Sequence, residues 1–396
     1  MTDGGMSTGA FLLDVTRLVD RQMQGRLPTG VDRVCLEYVR RFGGESRALI
    51  RWRGFWVMLS QQDSDRLFAA LLLPAEGFNR RVRWWVAKAL PRSVLKGLPR
   101  GAVLLNMGHS GLDRPNYGVR VRKHGLRPVF FLHDLIPITH PEYARAGEPE
   151  RHARRVQTML SNARGIVVNS RDTAHALESH ARTHGLPIPP HVIAPLAGAR
   201  LPLPSPESPL ATPYFVMLGT IEPRKNHLLL LHLWREFAKA LGGAAPHLVI
   251  IGQRGWECEQ VVDLLERSAA LRGRVVEISR ASDVELATWL HHARALVFPS
   301  FVEGYGLPLA EALSFGVPVI ASDLPVFREI AGEIPEYLDP LDGPGWRRVI
   351  LDYAQPQSAL RAAQLERMQG FKAPTWAEHF SAVESFLRGI GLEIRG

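Results

Sequence analysis

Ten short apolar runs rich in branched side chains punctuate the chain. Five lie in its first half, at 10–15, 103–107, 128–134, 165–170 and 191–195. Five more follow at 214–219, 247–252, 274–279, 295–300 and 317–322. Apolar residues fill these runs continuously instead of alternating with polar ones, as in strands covered on both faces, and helical spacing separates them. Between the two groups, "LPLPSPESPLATP" (201–213) is rich in proline and serine and marks the domain boundary. The expected architecture is α/β: two doubly wound Rossmann-like domains, 1–200 and 212–374, facing a cleft. Ligands are expected at the carboxyl ends of the strands.

The stretch "FVEGYGLPLAEALSFGVPVIASDLP" (301–325) leads into the last run and places Glu303 and Glu311 around Gly304, Gly306 and Pro308. The glycines and the proline exclude one helix carrying both carboxylates. Pro308 suits the first position of a helix that runs through Ser314 and closes on Gly316 in a left-handed cap, with Pro318 blocking continuation. Glu303 then lies in a glycine loop at a helix N-terminus, a place suited to phosphate, and Glu311 in the helix's first turns. Hydroxyl groups are the expected partners of the two carboxylates.

In the same half, the run ending at Gly219 is followed by Thr220 and "IEPRKN" (221–226). Arg224 and Lys225 thus sit at a strand's carboxyl end, before a helix whose apolar face includes Leu228, Leu231 and Leu233, with Asn226 as its N-cap. Two cations facing the Glu303 loop would clamp a diphosphate, arginine through its fork and lysine as a point charge. Alone, such a loop is more often simply solvated; the second phosphate-type loop in the domain favours the clamp. Gln253 and Arg254 follow the next run and would approach the same ligand, while Trp256 reads as packing. In the first domain, the run 128–134 ends on His133 and Asp134; the cleft would place His133 across from Glu303. Adjacent side chains on an extended segment point opposite ways, so the two are not read as a dyad. Residues 140–143 read as loop architecture, with Glu142 an acceptor-binding candidate. Thr29 and Gly30 precede the helical pattern Val31, Val34, Cys35, Tyr38, Val39 and serve either a phosphate or an ordinary helix start.

Composition narrows the class. The chain has 396 residues, 46% hydrophobic, and a formal net charge of +9, with only six lysines among 48 basic residues. A basic balance favours anionic partners. No apolar run reaches the ~20 residues of a membrane span, and the start lacks the basic region of a signal peptide. Cys35 and Cys258 suggest neither a disulfide framework nor a zinc site, and the expected setting is reducing and cytoplasmic. The signatures GxxxxGK[ST], GxGxxG, HExxH and GxSxG are absent, as is a DxD-type metal pair.

These residues resemble a family. "EGYGLPLAE" is similar to the E-x7-E signature, and "GTIEPRKN" to the diphosphate loop, of retaining glycosyltransferases of family 4, which have the GT-B fold. "GQRGWE" and "HDLIP" also resemble bacterial members acting in polysaccharide assembly. The resemblance is specific over 214–340 and looser before it; the first loop has Thr29-Gly30 where members often show a glycine pair. It implies metal-independent transfer of a sugar from a nucleotide-sugar, which is a substrate, so that no cofactor is expected. Arg224 and Lys225 would hold the diphosphate, alongside Gly219, Thr220 and Asn226, with Arg254 approaching from the next strand. Glu303 and the backbone of Gly304, Tyr305, Gly306 and Leu307 would hold the donor sugar and β-phosphate, and Glu311 the ribose hydroxyls. His133 would sit near the donor sugar, with Thr29 and Gly30 meeting the donor from the first domain. The first domain would bind the acceptor, and the last helix, within 375–396, would cross back onto it. Retention needs either a covalent carboxylate intermediate or front-face attack, and the residues leave both open.

From Gly77 to Leu112 there is no acidic residue, and 78–100 holds seven basic ones with Trp84 and Trp85. Val82, Trp85, Val86 and Ala89 share one helical stripe. The pattern fits an interfacial helix on an anionic membrane, or a surface helix burying its tryptophans. With the resemblance, it points to a lipid-linked saccharide acceptor at the inner face of the cell membrane and, by slight preference, GDP-mannose as donor. The alternatives are a UDP- or dTDP-sugar donor, a soluble or protein acceptor, a phosphorylase or epimerase of similar fold, and a basic nucleic-acid-binding protein. The last lacks an aromatic-basic sheet motif or zinc module, so nucleic acid is not an expected partner.

Overall fold

A computed structural model describes residues 11–73, 76–199 and 201–392. The first sheet comprises β1 (Phe11–Asp14), β2 (Ser46–Trp52), β3 (Phe55–Met58), β4 (Val103–Asn106), β5 (Arg127–Leu132), β6 (Gly165–Val168) and β7 (His191–Ile193). Their order is β3-β2-β1-β4-β5-β6-β7, parallel except for the β2–β3 hairpin. The second comprises β8 (Tyr214–Leu218), β9 (His247–Ile251), β10 (Val275–Ile278), β11 (Ala295–Phe298), β12 (Val319–Ser322) and β13 (Glu336–Leu338). It is wholly parallel, in the order β10-β9-β8-β11-β12-β13. All ten predicted runs coincide with strands; β2, β3 and β13 were not anticipated.

In each sheet the order reverses beside the first strand, between β1 and β4 and between β8 and β11. At such a switch point the flanking loops part at the carboxyl ends and leave a crevice. Alternate side chains of β8 show that both faces of its sheet are covered. Phe215 and Met217 pack with Leu230, Trp234 and Ile250 on one face, and Tyr214, Val216 and Leu218 pack with Leu296, Leu309 and Phe327 on the other. Fully burying such a side chain contributes about 1.5–3 kcal/mol.

The chain divides into two compact units. One holds the described residues through Ile138, then Gly147–Leu196 and the chain from Trp376; the other holds Thr139–Ala146 and Ala197–Thr375. The C-terminal helix Trp376–Gly389 joins the first unit through Phe380, whose ring meets Tyr38 and Phe42 edge-on at 5.2 and 5.6 Å. No helix among the described residues is long and apolar enough to cross a membrane.

Candidate active site

The loops that leave β8 and β11 meet at the second sheet's switch point. After β8 the chain turns through Gly219, and Gly252 at the end of β9 packs so closely that a Cβ there would lie 1.9 Å from the Gly219 carbonyl oxygen. Pro223–Lys225 then form one 3₁₀ turn, and Asn226, with φ +57°, reverses the backbone into the helix His227–Leu241. Asn226 takes the N-cap position as expected, but from this left-handed backbone its side chain makes no capping bond, and its Nδ2 instead donates to the Pro340 carbonyl at 2.9 Å.

After β11 the chain runs through Ser300 to the helix Leu307–Ser314, entered from Gly306 at φ +114°. A Cβ on Gly306 would come within 2.6 Å of the Phe327 ring, so both space and backbone demand glycine. Leu307 takes the first helical position and Pro308 the second, one residue later than predicted; an N–H is dispensable at either. Gly316 adopts the expected left-handed conformation, φ +71°.

These two loops bring four charged side chains together. Arg224 Nη1 donates to Glu303 Oε2 at 2.6 Å, and its Nη2 donates to Glu222 at 2.6 Å. Lys225 Nζ donates to Glu303 Oε1, which also accepts from Ser300 Oγ at 2.8 Å. Backbone joins the loops as well, the Phe301 N–H donating to the Arg224 carbonyl at 2.8 Å. Glu222, Lys225 and Glu303 are all buried, and the Lys225 ammonium lies 4.9 Å from the Phe298 ring centre. Burial alone would push the Glu303 carboxyl up, but Arg224 and Lys225 outweigh it and hold the group at about 2. Glu303 is therefore a fixed anion at neutral pH, suited to accepting hydrogen bonds rather than moving protons. Burial raises Glu222 and lowers Lys225 from their ordinary values. Removing one member of such a buried set leaves an uncompensated charge, at a cost of about 3–5 kcal/mol.

The other candidates occupy distinct places. Glu311, buried in the helix's second turn, accepts from the Ala199 N–H at 2.9 Å. The guanidinium of Arg254 is held by both oxygens of Glu277, at 2.8 Å each, and by Glu266 at 2.6 Å. Trp256 packs as expected, with Nε1–H donating to the Tyr143 carbonyl at 3.2 Å and Arg145 lying over its ring. Tyr143 stacks on Phe301, ring centres 5.5 Å apart, two residues from Glu303.

In the first unit, His133 lies just beyond β5, buried and stacked on Phe131 at 4.4 Å. Its Nε2 is 2.8 Å from the Met107 carbonyl, an acceptor only, so Nε2 carries the proton and Nδ1 a lone pair. Burial depresses its pKa to about 4. Asp134 turns its carboxylate to the Ile136 N–H. Thr29 and Gly30 begin the helix Gly30–Phe42, and Thr29 forms a reciprocal capping box with Asp32, which Arg17 and Arg21 also contact at 2.7 Å. Both residues thus serve a helix start.

The sequence pattern did not reveal Glu222, Ser300 or His227. The acid–base alternation of "EPRK" was the available signal for Glu222. Nothing marked His227, which opens the helix after the cationic turn, only 1% exposed, with neither ring nitrogen partnered among the described residues. Burial pushes it down to about 3. Among the described residues no group of three or more His, Cys, Asp or Glu is arranged to hold a metal ion.

Comparison with known proteins places this geometry in a class of fold. The structure resembles that of Anabaena Alr3699/HepE, solved in complex with UDP, with a TM-score of 0.61 at 14% identity over 96% of this chain and 99% of that one. The fold is GT-B, built of two Rossmann-like domains. Residues 204–334 match the family profile described as "Glycosyl transferases group 1". The chain is 30% identical over 233 residues to the "Serotype-specific mannosyltransferase WbdA" of Escherichia coli, covering 54% of this chain and 28% of that protein. It is 33% identical over 163 residues to the "O-antigen chain mannosyltransferase B" of the same species, covering 41% and 42% respectively. The chain thus spans less than half the length of each of these two relatives.

Proposed function

We propose that this chain is a retaining glycosyltransferase, similar to family 4, that moves a hexose from a nucleotide-sugar to a saccharide acceptor in cell-surface polysaccharide assembly. The observation that carries the reading is the Glu222–Arg224–Lys225–Glu303 cluster, buried but for Arg224, at the switch point of the second sheet. A breaking sugar–phosphate bond builds negative charge on the leaving phosphate, where preorganised cations in a dry site act best. Arg224 and Lys225 supply that charge, so the reaction needs neither a metal nor a cofactor. Glu303 holds them in place and accepts hydrogen bonds from the donor sugar, Glu311 binds the ribose, and His133 is proposed to contact the sugar. Front-face attack, with the leaving phosphate taking the acceptor proton, is the favoured route. The mannosyltransferase relatives favour GDP-mannose over a UDP- or dTDP-sugar. The acceptor is lipid-linked, reached at the inner membrane face through the basic helix Phe78–Lys96.

The test is a screen of nucleotide-sugars with saccharide acceptors, following nucleoside diphosphate release and the product's anomeric configuration. We expect release from GDP-mannose with the donor's α-configuration kept, and a fall of about 10²–10³-fold in Glu303→Gln. An inverted product, or Glu303→Gln within threefold of wild type, contradicts the reading.

A further inference from the structure

The helix His227–Leu241 carries a second charged region at its far end. Its last turns and the loop before β10 line an open groove of about 610 Å³. Four cations face it: Arg235 and Lys239 from the helix, Arg272 and Arg274 from the loop. Glu236 is the one carboxylate in the lining, and it pairs with Arg347 at 3.0 Å. At ~1.5 Å per residue, the helix separates this groove from Arg224 and Lys225 by roughly 20 Å, at the amino-terminal edge of the sheet.

Two other arginines of this unit are held by carboxylates. Arg254 pairs with Glu266 and Glu277, and Arg328 with Asp323 and Glu333. Among the described residues none of the four groove cations forms an ion pair. Arg235 reaches only the His232 ring and Arg274 only the Ala245 carbonyl, each at 3.4 Å. Arg235 and Lys239, four positions apart, repel one another on one helix face. The helix dipole favours a cation in the last turn, which accounts for Lys239 but not for Arg235, nor for two more arginines brought across from the loop.

We propose that this groove is a second anion site, which takes a ligand bearing two or more phosphates. Three of its four cations are arginines, whose planar forks pair two N–H groups with two phosphate oxygens, and a compact polyanion relieves the mutual repulsion of all four. The phosphates come either from a soluble metabolite or from a phospholipid headgroup. The site stands independently of the nucleotide-sugar reading.

The test is calorimetric titration of inorganic pyrophosphate into wild type, Arg235→Gln/Arg272→Gln and Arg224→Ala/Lys225→Ala. The groove site should persist in the Arg224→Ala/Lys225→Ala protein and weaken tenfold or more in Arg235→Gln/Arg272→Gln, the folding of both variants being checked by their melting curves. Co-sedimentation of the Arg80→Gln/Arg83→Gln/Trp84→Ser protein, in which the helix Phe78–Lys96 no longer contributes, with cardiolipin and phosphatidylcholine vesicles separates the sources. Capture by the former that pyrophosphate reverses and Arg235→Gln/Arg272→Gln abolishes assigns a headgroup; pyrophosphate binding without capture assigns a soluble ligand. Pyrophosphate affinity unchanged in Arg235→Gln/Arg272→Gln, or binding lost altogether in Arg224→Ala/Lys225→Ala, overturns the proposal.

Discussion

Glu303 and the buried histidines show how burial sets the charge of single side chains. Glu303 stays ionised because two cations and a hydroxyl converge on its oxygens. His133, His227 and His379 have no such compensation, and burial holds them neutral, with pKa values pushed down to about 4, 3 and 4. His109, beside His133, and His152, beside His109, are lowered for the same reason. Above pH 6.5 these rings are neutral in folded and unfolded chains alike, so they do not alter stability there. Below it the unfolded chain binds protons that the folded one refuses, and each tenfold loss of proton affinity on folding costs about 1.4 kcal/mol. The Glu303 contribution is present above its ordinary value of 4.5 and is lost as pH falls toward 2. We therefore expect the urea midpoint to fall steeply between pH 6.5 and 4; a midpoint flat from pH 7 to 5 contradicts this. Sequence patterns made Arg224, Lys225 and Glu303 legible because charge, glycine and strand end coincide there. His227 was not legible, because nothing in a sequence says that a polar ring at a helix start will be sealed from water.

Elements with one strong periodicity were read well, and those with mixed signals were not. All ten continuous apolar runs became strands, whereas β2 and β3 carry arginines and tryptophans that blur the pattern. Their hairpin turns at Arg53 and Gly54, both with positive φ, and "RG" was the signal passed over. The helix Phe78–Lys96 divides the two readings made of it. Val82, Trp85 and Val86 are buried in the first unit's core, where Ser93 Oγ also accepts from the Met58 N–H at 3.1 Å. Lys88 pairs with Asp63 at 2.9 Å. Left outside are Arg80, Arg83, Arg92 and Lys96, with Trp84 55% and Leu95 84% exposed. A membrane role would rest on that outer face, at ~1 kcal/mol per cation near anionic lipid. Replacing Arg80 and Arg83 with Gln and Trp84 with Ser should release the protein from phosphatidylglycerol vesicles at low salt while sparing nucleotide affinity. Wild type that stays in the supernatant makes this helix ordinary structure.

Across the whole molecule, likeness of fold extends further than likeness of sequence. The fold matches HepE over 96% of the chain, yet the family profile covers only 204–334. The second unit's loops are constrained residue by residue, since Gly252 and Gly306 have no room for a side chain and the charges of Glu222, Arg224, Lys225 and Glu303 must balance. The first unit's sheet demands only buried apolar strands, which many sequences supply. The central claim is that Arg224 and Lys225 hold a nucleoside diphosphate, and calorimetry of GDP and UDP binding tests it most directly. Wild type should bind at least one of them, and Arg224→Ala and Lys225→Ala should each weaken that binding by roughly ten- to a hundredfold, since a charge-assisted bond is worth about 1.5–3 kcal/mol. Failure of the wild type to bind either nucleotide, or affinities unchanged in both folded variants, would contradict the account.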